Sequence, residues 1–164
     1  MERLAAGPGR LRRDQEDLTE IIYRAAAIKA EVVAQDEREG GLRRILNFGH
    51  TLGHGLEQAS NFKVPHGRAV AWGMLAALGL SERLAGLSLE EAGRGRRLIH
   101  ELGLTRQPLP AMTPQAVLTA LALDKKRLES GVPFVLLPRL GEAVVREDVP
   151  MSIVAEVLAE IMPR

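Results

Sequence analysis

The sequence predicts a mainly α-helical fold, a helical bundle of roughly five to six helices with one short β-hairpin near the C-terminus. Apolar residues recur at helical spacing through most of the chain, and Ser, Thr, Pro and Gly stand where helices would start and stop. Only 133–146 breaks this period, with two short apolar runs that flank a turn. We therefore expect one helical domain over 15–164, preceded by a disordered leader or cut end at 1–14.

The predicted boundaries rest on residues that suit helix ends. Ser88 followed by Glu91 is a capping-box pattern, and Thr113 followed by Pro114 places a cap before a proline at the first helical position. Gly103 is typical of a residue that ends a helix. The predicted helices cover about 15–35, 43–59, 66–84, 88–102, 113–129 and 150–162, and the predicted strands cover 133–137 and 143–146.

Composition excludes several classes of function. The net charge is +1, and one Trp, one Tyr and three Phe leave few rings to stack on bases, so we expect no nucleic-acid partner. The longest apolar run, 69–80, is shorter than the ~20 residues of a membrane helix, which predicts a cytoplasmic protein without a membrane partner. The chain has no cysteine, so a zinc site would need His, Asp or Glu ligands.

A polar stripe is predicted on the helix over 43–59. At ~100° per residue, Arg43, Asn47, His50 and His54 fall within about 60° of one another, with Glu57 close by. Solvated helix faces favour Lys, Glu and Gln, whereas this stripe uses weaker helix formers. The stripe is thus either a solvated face or a site, and the clustering of three of the four histidines at His50, His54 and His66 favours a site.

Two segments, KAEVVAQDEREGGLRRILNFGHTLGHGLE and VPHGRAVAWGM, resemble the signature of 3-dehydroquinate synthases, and the resemblance extends over roughly residues 18–160. It implies a lyase of the shikimate pathway, in aromatic amino acid biosynthesis. That enzyme converts the sugar phosphate 3-deoxy-D-arabino-heptulosonate 7-phosphate to 3-dehydroquinate and phosphate, as a homodimer with NAD and Zn²⁺ or Co²⁺. No glycine-rich dinucleotide fingerprint follows a strand in this chain, so the NAD-binding N-terminal domain is expected to be absent.

The resemblance also implies roles for individual residues. Two metal ligands match this chain, and the third, a glutamate, is expected in a segment that the chain lacks. The chain alone should therefore be inactive and should bind zinc weakly. By resemblance, the metal ligands are His50 and His66, the catalytic residues are Lys29, Glu39 and His54, and the substrate-binding residues are Lys29, Arg43, Asn47, His54 and either Lys125 or Lys126.

Two alternatives remain beside this interpretation. The chain could derive from another sugar-phosphate cyclase of the 2-deoxy-scyllo-inosose synthase type, whose substrate has no carboxylate; Arg43 and Lys29 favour the carboxylate substrate. Alternatively, the chain is a non-catalytic helical module that binds a partner subunit. One departure from the family pattern is Arg68, which stands where the HGEAVA motif of the family has glutamate.

Overall fold

The computed structural model describes residues 15–38, 41–125 and 132–162, and confirms the predicted mainly helical fold with a C-terminal hairpin. The expected leader at 1–14 lies outside these residues. Among the described helices, none has the length and apolar character needed to cross a lipid bilayer. The elements are α1 (Gln15–Gln35), a 3-10 helix (Leu42–Asn47), α2 (His50–Ala59), α3 (His66–Leu84), α4 (Leu89–Glu101), α5 (Pro114–Lys125), β1 (Phe134–Arg139), β2 (Glu142–Arg146) and α6 (Met151–Ile161).

Helix α3 is the centre of the domain. Its sequence is apolar or small on nearly every face between Ala69 and Ser81, which is the pattern of a helix surrounded by other elements. α2, α4, α6 and β1 all contact it. The main core joins α3 to side chains from α2, α5, β1 and α6, and its fully buried members include Leu52, Leu56, Leu80, Val117, Leu121, Leu136, Val154 and Leu158.

Helices α2 and α3 cross at very short range. A Cβ placed on Gly73 of α3 would overlap the Gly49 carbonyl oxygen and would lie 2.7 Å from the Gly53 nitrogen. A Cβ on Gly49 would lie 2.6 Å from the backbone nitrogen of Met74. Side chains do not fit between these backbones, so the crossing depends on glycine at both positions.

The prediction of one continuous helix over 43–59 was wrong. The segment contains a 3-10 helix that ends at Asn47, a break at Phe48 and Gly49, and then α2. Phe48 has extended backbone (φ −54°, ψ 121°), and Gly49 is left-handed (φ 80°). A helix cannot continue through these angles, and the left-handed glycine lets the backbone approach Met74 of α3.

The hairpin packs against both central helices through hydrogen bonds of buried or half-buried hydroxyls. The Thr51 hydroxyl on α2 donates to the Pro133 carbonyl at 2.6 Å, just before β1. The Ser81 hydroxyl on α3 donates to the Ala77 carbonyl at 2.6 Å and accepts from the Leu137 amide at 2.9 Å. The strands are antiparallel, with Val135 opposite Val145. These bonds hold the hairpin beside the N-terminal half of α2.

The predicted helix caps are confirmed where the structure describes them. The Ser88 hydroxyl accepts from the Glu91 amide at 3.2 Å and donates to the Glu91 carboxylate at 3.0 Å. The Thr113 hydroxyl accepts from the Ala116 amide at 3.2 Å, and left-handed Gly103 (φ 75°) follows α4. The predicted end of α5 at 129 lies outside the described residues.

Helix α1 differs from the other helices because none of its side chains is buried. It contacts the 3-10 helix, and it carries the exposed apolar residues Leu18, Ile22, Tyr23 and Ile28. The helical spacing of its apolar residues predicted the helix correctly. Among the described elements, the 3-10 helix is the one that α1 contacts most, and no side chain of α1 is buried.

The crossing of α2 and α3 gives a stability test. Gly73→Ala should lower the free energy of unfolding by about 1–3 kcal/mol, since the added methyl forces two packed backbones apart. Gly67→Ala is the matched control, because a Cβ there meets nothing within 4 Å, and it should leave stability unchanged or raise it by up to about 1 kcal/mol. Urea denaturation followed by circular dichroism measures both. Equal stabilities of the two variants would contradict the close crossing.

Candidate metal and substrate site

Three imidazole rings meet where α2 crosses the start of α3. His50 is the first residue of α2, His54 lies one turn later, and His66 is the first residue of α3. The ring centroids are 5.8 Å apart for His50 and His54, 5.5 Å for His50 and His66, and 5.7 Å for His54 and His66. The three rings thus form a nearly equilateral triangle, so the structure brings together the three histidines that are clustered in the sequence.

Glu57 adds a carboxylate beside this triangle. Its Oε2 lies 3.2 Å from Nδ1 of His66, and the two side chains form an ion pair when the imidazole is protonated. Ligand atoms of His54, Glu57 and His66 all lie within 4.8 Å of one another. The sequence placed Glu57 near the stripe without a role, and its contact with His66 depends on the fold of the turn between α2 and α3.

The donor set fits a divalent metal such as Zn²⁺. Neutral imidazole nitrogens are suitable zinc ligands, and two rings on one tetrahedral ion have centroids about 5 Å apart when each Zn–N bond is 2.0–2.1 Å. The observed separation of 5.5 Å between His50 and His66 is close to this value.

The described residues contain no parallel sheet, so the fold that usually binds NAD is not among them.

A cavity of about 290 Å³ opens beside His50 and His54. Its wall is polar along the 3-10 helix and α2, where Arg44, Asn47 and Thr51 line it. Its opposite wall is apolar and comes from the end of α5 and the hairpin. That second wall consists of Leu121, Val132, Pro133, Val135 and Val145. A ligand in this cavity would place its polar groups toward the arginine, the amide and the histidines.

Arg44, and not Arg43, lines the cavity. Helical spacing placed Arg43 in the polar stripe with Asn47, because residues four apart share a face of an α-helix, whereas residues three apart share a face of a 3-10 helix. Arg44 and Asn47 are three apart, and they lie on the same wall. The Arg43 guanidinium instead donates to the Glu37 carbonyl at 3.3 Å, and the backbone amide of Arg43 donates to Asp36 Oδ2 at 2.9 Å. Arg44 also pairs with Glu147 at 3.0 Å.

The remaining predicted site residues are not gathered at the cavity by the described contacts. Lys29 is exposed on α1. Glu39 and Lys126 lie outside the described residues, and α5 ends at Lys125. The roles assigned to these four residues stay predictions, as does that of Arg43.

The Arg68 guanidinium on α3 forms hydrogen bonds with the segment after α4. Its Nη1 donates to Gln107 Oε1 at 2.7 Å, and its Nη2 donates to the carbonyl oxygens of Gln107 and Pro108 at 3.0 and 3.1 Å. Three acceptors therefore surround a guanidinium whose position carries a glutamate in the resembled motif. Arginine at this position replaces the negative charge of the motif's glutamate with hydrogen bonds that tether the first turn of α3 to residues 107–108.

Comparison with known proteins gives a consistent result. A family model described as 3-dehydroquinate synthase C-terminal matches residues 2–127. The 3-dehydroquinate synthase of Dehalococcoides mccartyi strain CBDB1 is 44% identical over 149 residues, which are 91% of this chain and 41% of that protein. That of Pseudomonas fluorescens strain SBW25 is 45% identical over 146 residues, 88% of this chain and 40% of that protein. The chain thus spans about two fifths of these relatives.

Two solved structures share the fold. A 2-deoxy-scyllo-inosose synthase complexed with carbaglucose-6-phosphate, NAD⁺ and Co²⁺ superposes with a TM-score of 0.75 at 25% identity, covering 89% of this chain and 41% of that one. A 2-epi-5-epi-valiolone synthase from Streptomyces hygroscopicus with NAD⁺ and Zn²⁺ gives a TM-score of 0.77 at 25% identity, covering 98% and 45%.

The tether at Arg68 can be tested by reversing its charge. Arg68→Glu places a carboxylate against three oxygen acceptors and should lower the free energy of unfolding by about 1–3 kcal/mol. Arg97→Glu makes the same charge change on the exposed side of α4 and should cost no more than about 0.5 kcal/mol. Thermal unfolding of both variants is the measurement. If Arg68→Glu left the free energy of unfolding unchanged, the hydrogen bonds of Arg68 would contribute nothing to stability.

Proposed function

This chain belongs to the 3-dehydroquinate synthase C-terminal family, and we propose that it supplies the metal- and substrate-binding part of the active site of a 3-dehydroquinate synthase. The observation that carries the proposal is the triangle of His50, His54 and His66 beside a cavity that Arg44 and Asn47 line. Identities of 44% and 45% to enzymes of that name, against 25% to the other cyclases, support this substrate class.

His50 and His66 hold the metal in this proposal. Their imidazoles come from two helices whose crossing is fixed by glycine contacts, so their separation is set before any ion binds. When bound, Zn²⁺ or Co²⁺ supplies Lewis-acid polarisation of a substrate oxygen. The third ligand comes from a part of the enzyme beyond the region that this chain matches. A two-histidine site retains a divalent ion poorly without that ligand.

The cavity wall recognises the anionic groups of a sugar phosphate. Arg44 presents a permanent positive charge and Asn47 an amide that can donate to a carboxylate or phosphate oxygen. In the proposal, Lys29 adds charge from α1 and Arg43 adds charge from the 3-10 helix once substrate is bound. His54 is exposed at the same cavity, where its imidazole takes up or returns a proton at a substrate hydroxyl.

The complete reaction needs groups from parts of the enzyme that this chain does not match. In the proposal NAD binds to the N-terminal domain of the enzyme, Glu39 and either Lys125 or Lys126 complete the anion site, and the enzyme works as a cytoplasmic homodimer. The chain spans 41% of the length of its relative from Dehalococcoides mccartyi. The chain alone therefore positions substrate without carrying out the oxidation on which the later steps depend.

A chimera tests the proposal directly. The matching C-terminal segment of the Pseudomonas fluorescens enzyme is exchanged for this chain, and phosphate release from 3-deoxy-D-arabino-heptulosonate 7-phosphate is followed with NAD and Zn²⁺ present. We expect turnover. His50→Ala should lower kcat/KM by about 100-fold or more, because Lewis-acid stabilisation is worth several kcal/mol.

His100→Ala is the control for the chimera, since His100 lies in the last turn of α4, bonds to Thr105 at 2.7 Å, does not line the cavity and should not affect turnover. Unchanged turnover of His50→Ala would instead support a helical module that only binds a partner. The same chimera distinguishes the rival cyclase: preference for a sugar phosphate without a carboxylate would identify the 2-deoxy-scyllo-inosose synthase type.

Metal content of the isolated chain gives a separate prediction. After dialysis without chelator, elemental analysis should find well below one zinc per chain, because the matched ligands are only two histidines and weakly held metal is lost. The isolated chain should release no phosphate from the heptulosonate substrate in the presence of NAD. One tightly retained zinc per chain would show that the described residues already form a complete site.

A further inference from the structure

We propose that Glu57 is a positioning residue, which fixes the orientation and tautomer of His66 and thereby prepares its Nε2 to bind metal. This inference rests on the proposed function for the identity of the ion. It concerns a residue to which neither the matching segments nor the resemblance assigns a role. The contact that carries it is the 3.2 Å separation between Glu57 Oε2 and His66 Nδ1.

The chemistry of this contact selects one tautomer. A carboxylate has no proton to donate at neutral pH, so a hydrogen bond between these atoms requires the proton on Nδ1 of His66. The lone pair of the neutral ring then belongs to Nε2. Histidines that bind metals commonly donate their other ring N–H to a carboxylate in this way, which fixes the ring and raises its basicity.

Burial shows which partner fixes the other. The side chain of Glu57 is 14% exposed and that of His66 is 57% exposed, so packing restrains the carboxylate far more than the imidazole. Glu57 is also held by its backbone, because its carbonyl accepts from the Ser60 hydroxyl at 2.8 Å and from the Phe62 amide at 2.7 Å. An exposed ring at the first position of α3 therefore takes its orientation from a fixed residue on α2.

The competing interpretation is that Glu57 itself binds the ion together with His54 and His66, since ligand atoms of the three lie within 4.8 Å. The two roles predict different effects when the carboxylate at position 57 is replaced by an amide. Glutamine at position 57 still offers an oxygen that accepts from Nδ1–H, but an amide is a poor substitute for a carboxylate on zinc. Glu57→Gln and Glu57→Ala therefore separate positioning from ligation.

Calorimetric titration of the 164-residue chain with Zn²⁺ is the first experiment. Glu57→Ala should weaken zinc affinity by about 10–100-fold, and Glu57→Gln should retain most of the affinity. Glu90→Ala, on the exposed face of α4, is the matched control and should bind as the parent chain does. Equal loss in both position-57 variants would establish direct ligation, and no loss in either would exclude any role; both results overturn the proposal.

The second experiment needs no metal. Long-range ¹⁵N–¹H spectra of the metal-free chain should show His66 as the Nδ1–H tautomer, and in Glu57→Ala a mixture of tautomers. A mixture already in the parent chain overturns the proposal. The outcome is independent of the proposed function, whose ligand assignment fails separately if His50→Ala binds zinc as tightly as the parent chain.

Discussion

Where α2 crosses α3, the two backbones are so close that a methyl group on Gly73 would overlap the carbonyl of Gly49. The first residue after Gly49 is His50, and the N-terminus of α3 brings His66 to the same face. A larger residue at either glycine would move the helices apart and the imidazoles with them. The separation of the helices that carry the histidines is therefore a consequence of backbone packing in the core, and the His66 ring is in addition in contact with Glu57.

The sequence was informative wherever one physical signal dominated. Ser88, Thr113 and Gly103 set helix ends through local hydrogen bonds or a left-handed backbone, and each acts as predicted. The break at Gly49 was not predictable from period alone, because the glycine is left-handed in response to a neighbouring helix distant in sequence. The same break explains why Arg44 and not Arg43 lines the cavity with Asn47, since the segment before it is a 3-10 helix; the substrate-binding role of Arg43 stays a prediction.

The predicted site residues fall into two groups: those near α2, which packs in the core, and those on elements that the core does not hold. Asn47, His50 and His54 lie next to or on α2, which the core fixes, and all three line the cavity. Lys29 lies on α1, a helix without buried side chains that contacts the 3-10 helix, so the buried core does not directly set its distance from the cavity. A single-helix pattern detects residues of the first kind. The position of a residue such as Lys29 depends on how separate helices pack together, and the sequence pattern of one helix does not contain this information.

Arg68 shows how hydrogen bonds can hold a positive charge that lies close in sequence to His66, the proposed metal ligand. In isolation, an arginine two residues after a histidine ligand would repel a divalent cation, and at 4 Å an effective dielectric of 20 makes such repulsion several kcal/mol. The guanidinium here is directed to three oxygen acceptors of Gln107 and Pro108 instead. Hydrogen bonding keeps the charge at that segment, where it ties the first turn of α3 in place. The residue that departs from the family motif thus supports the helix that presents His66, by a contact that a glutamate could not make.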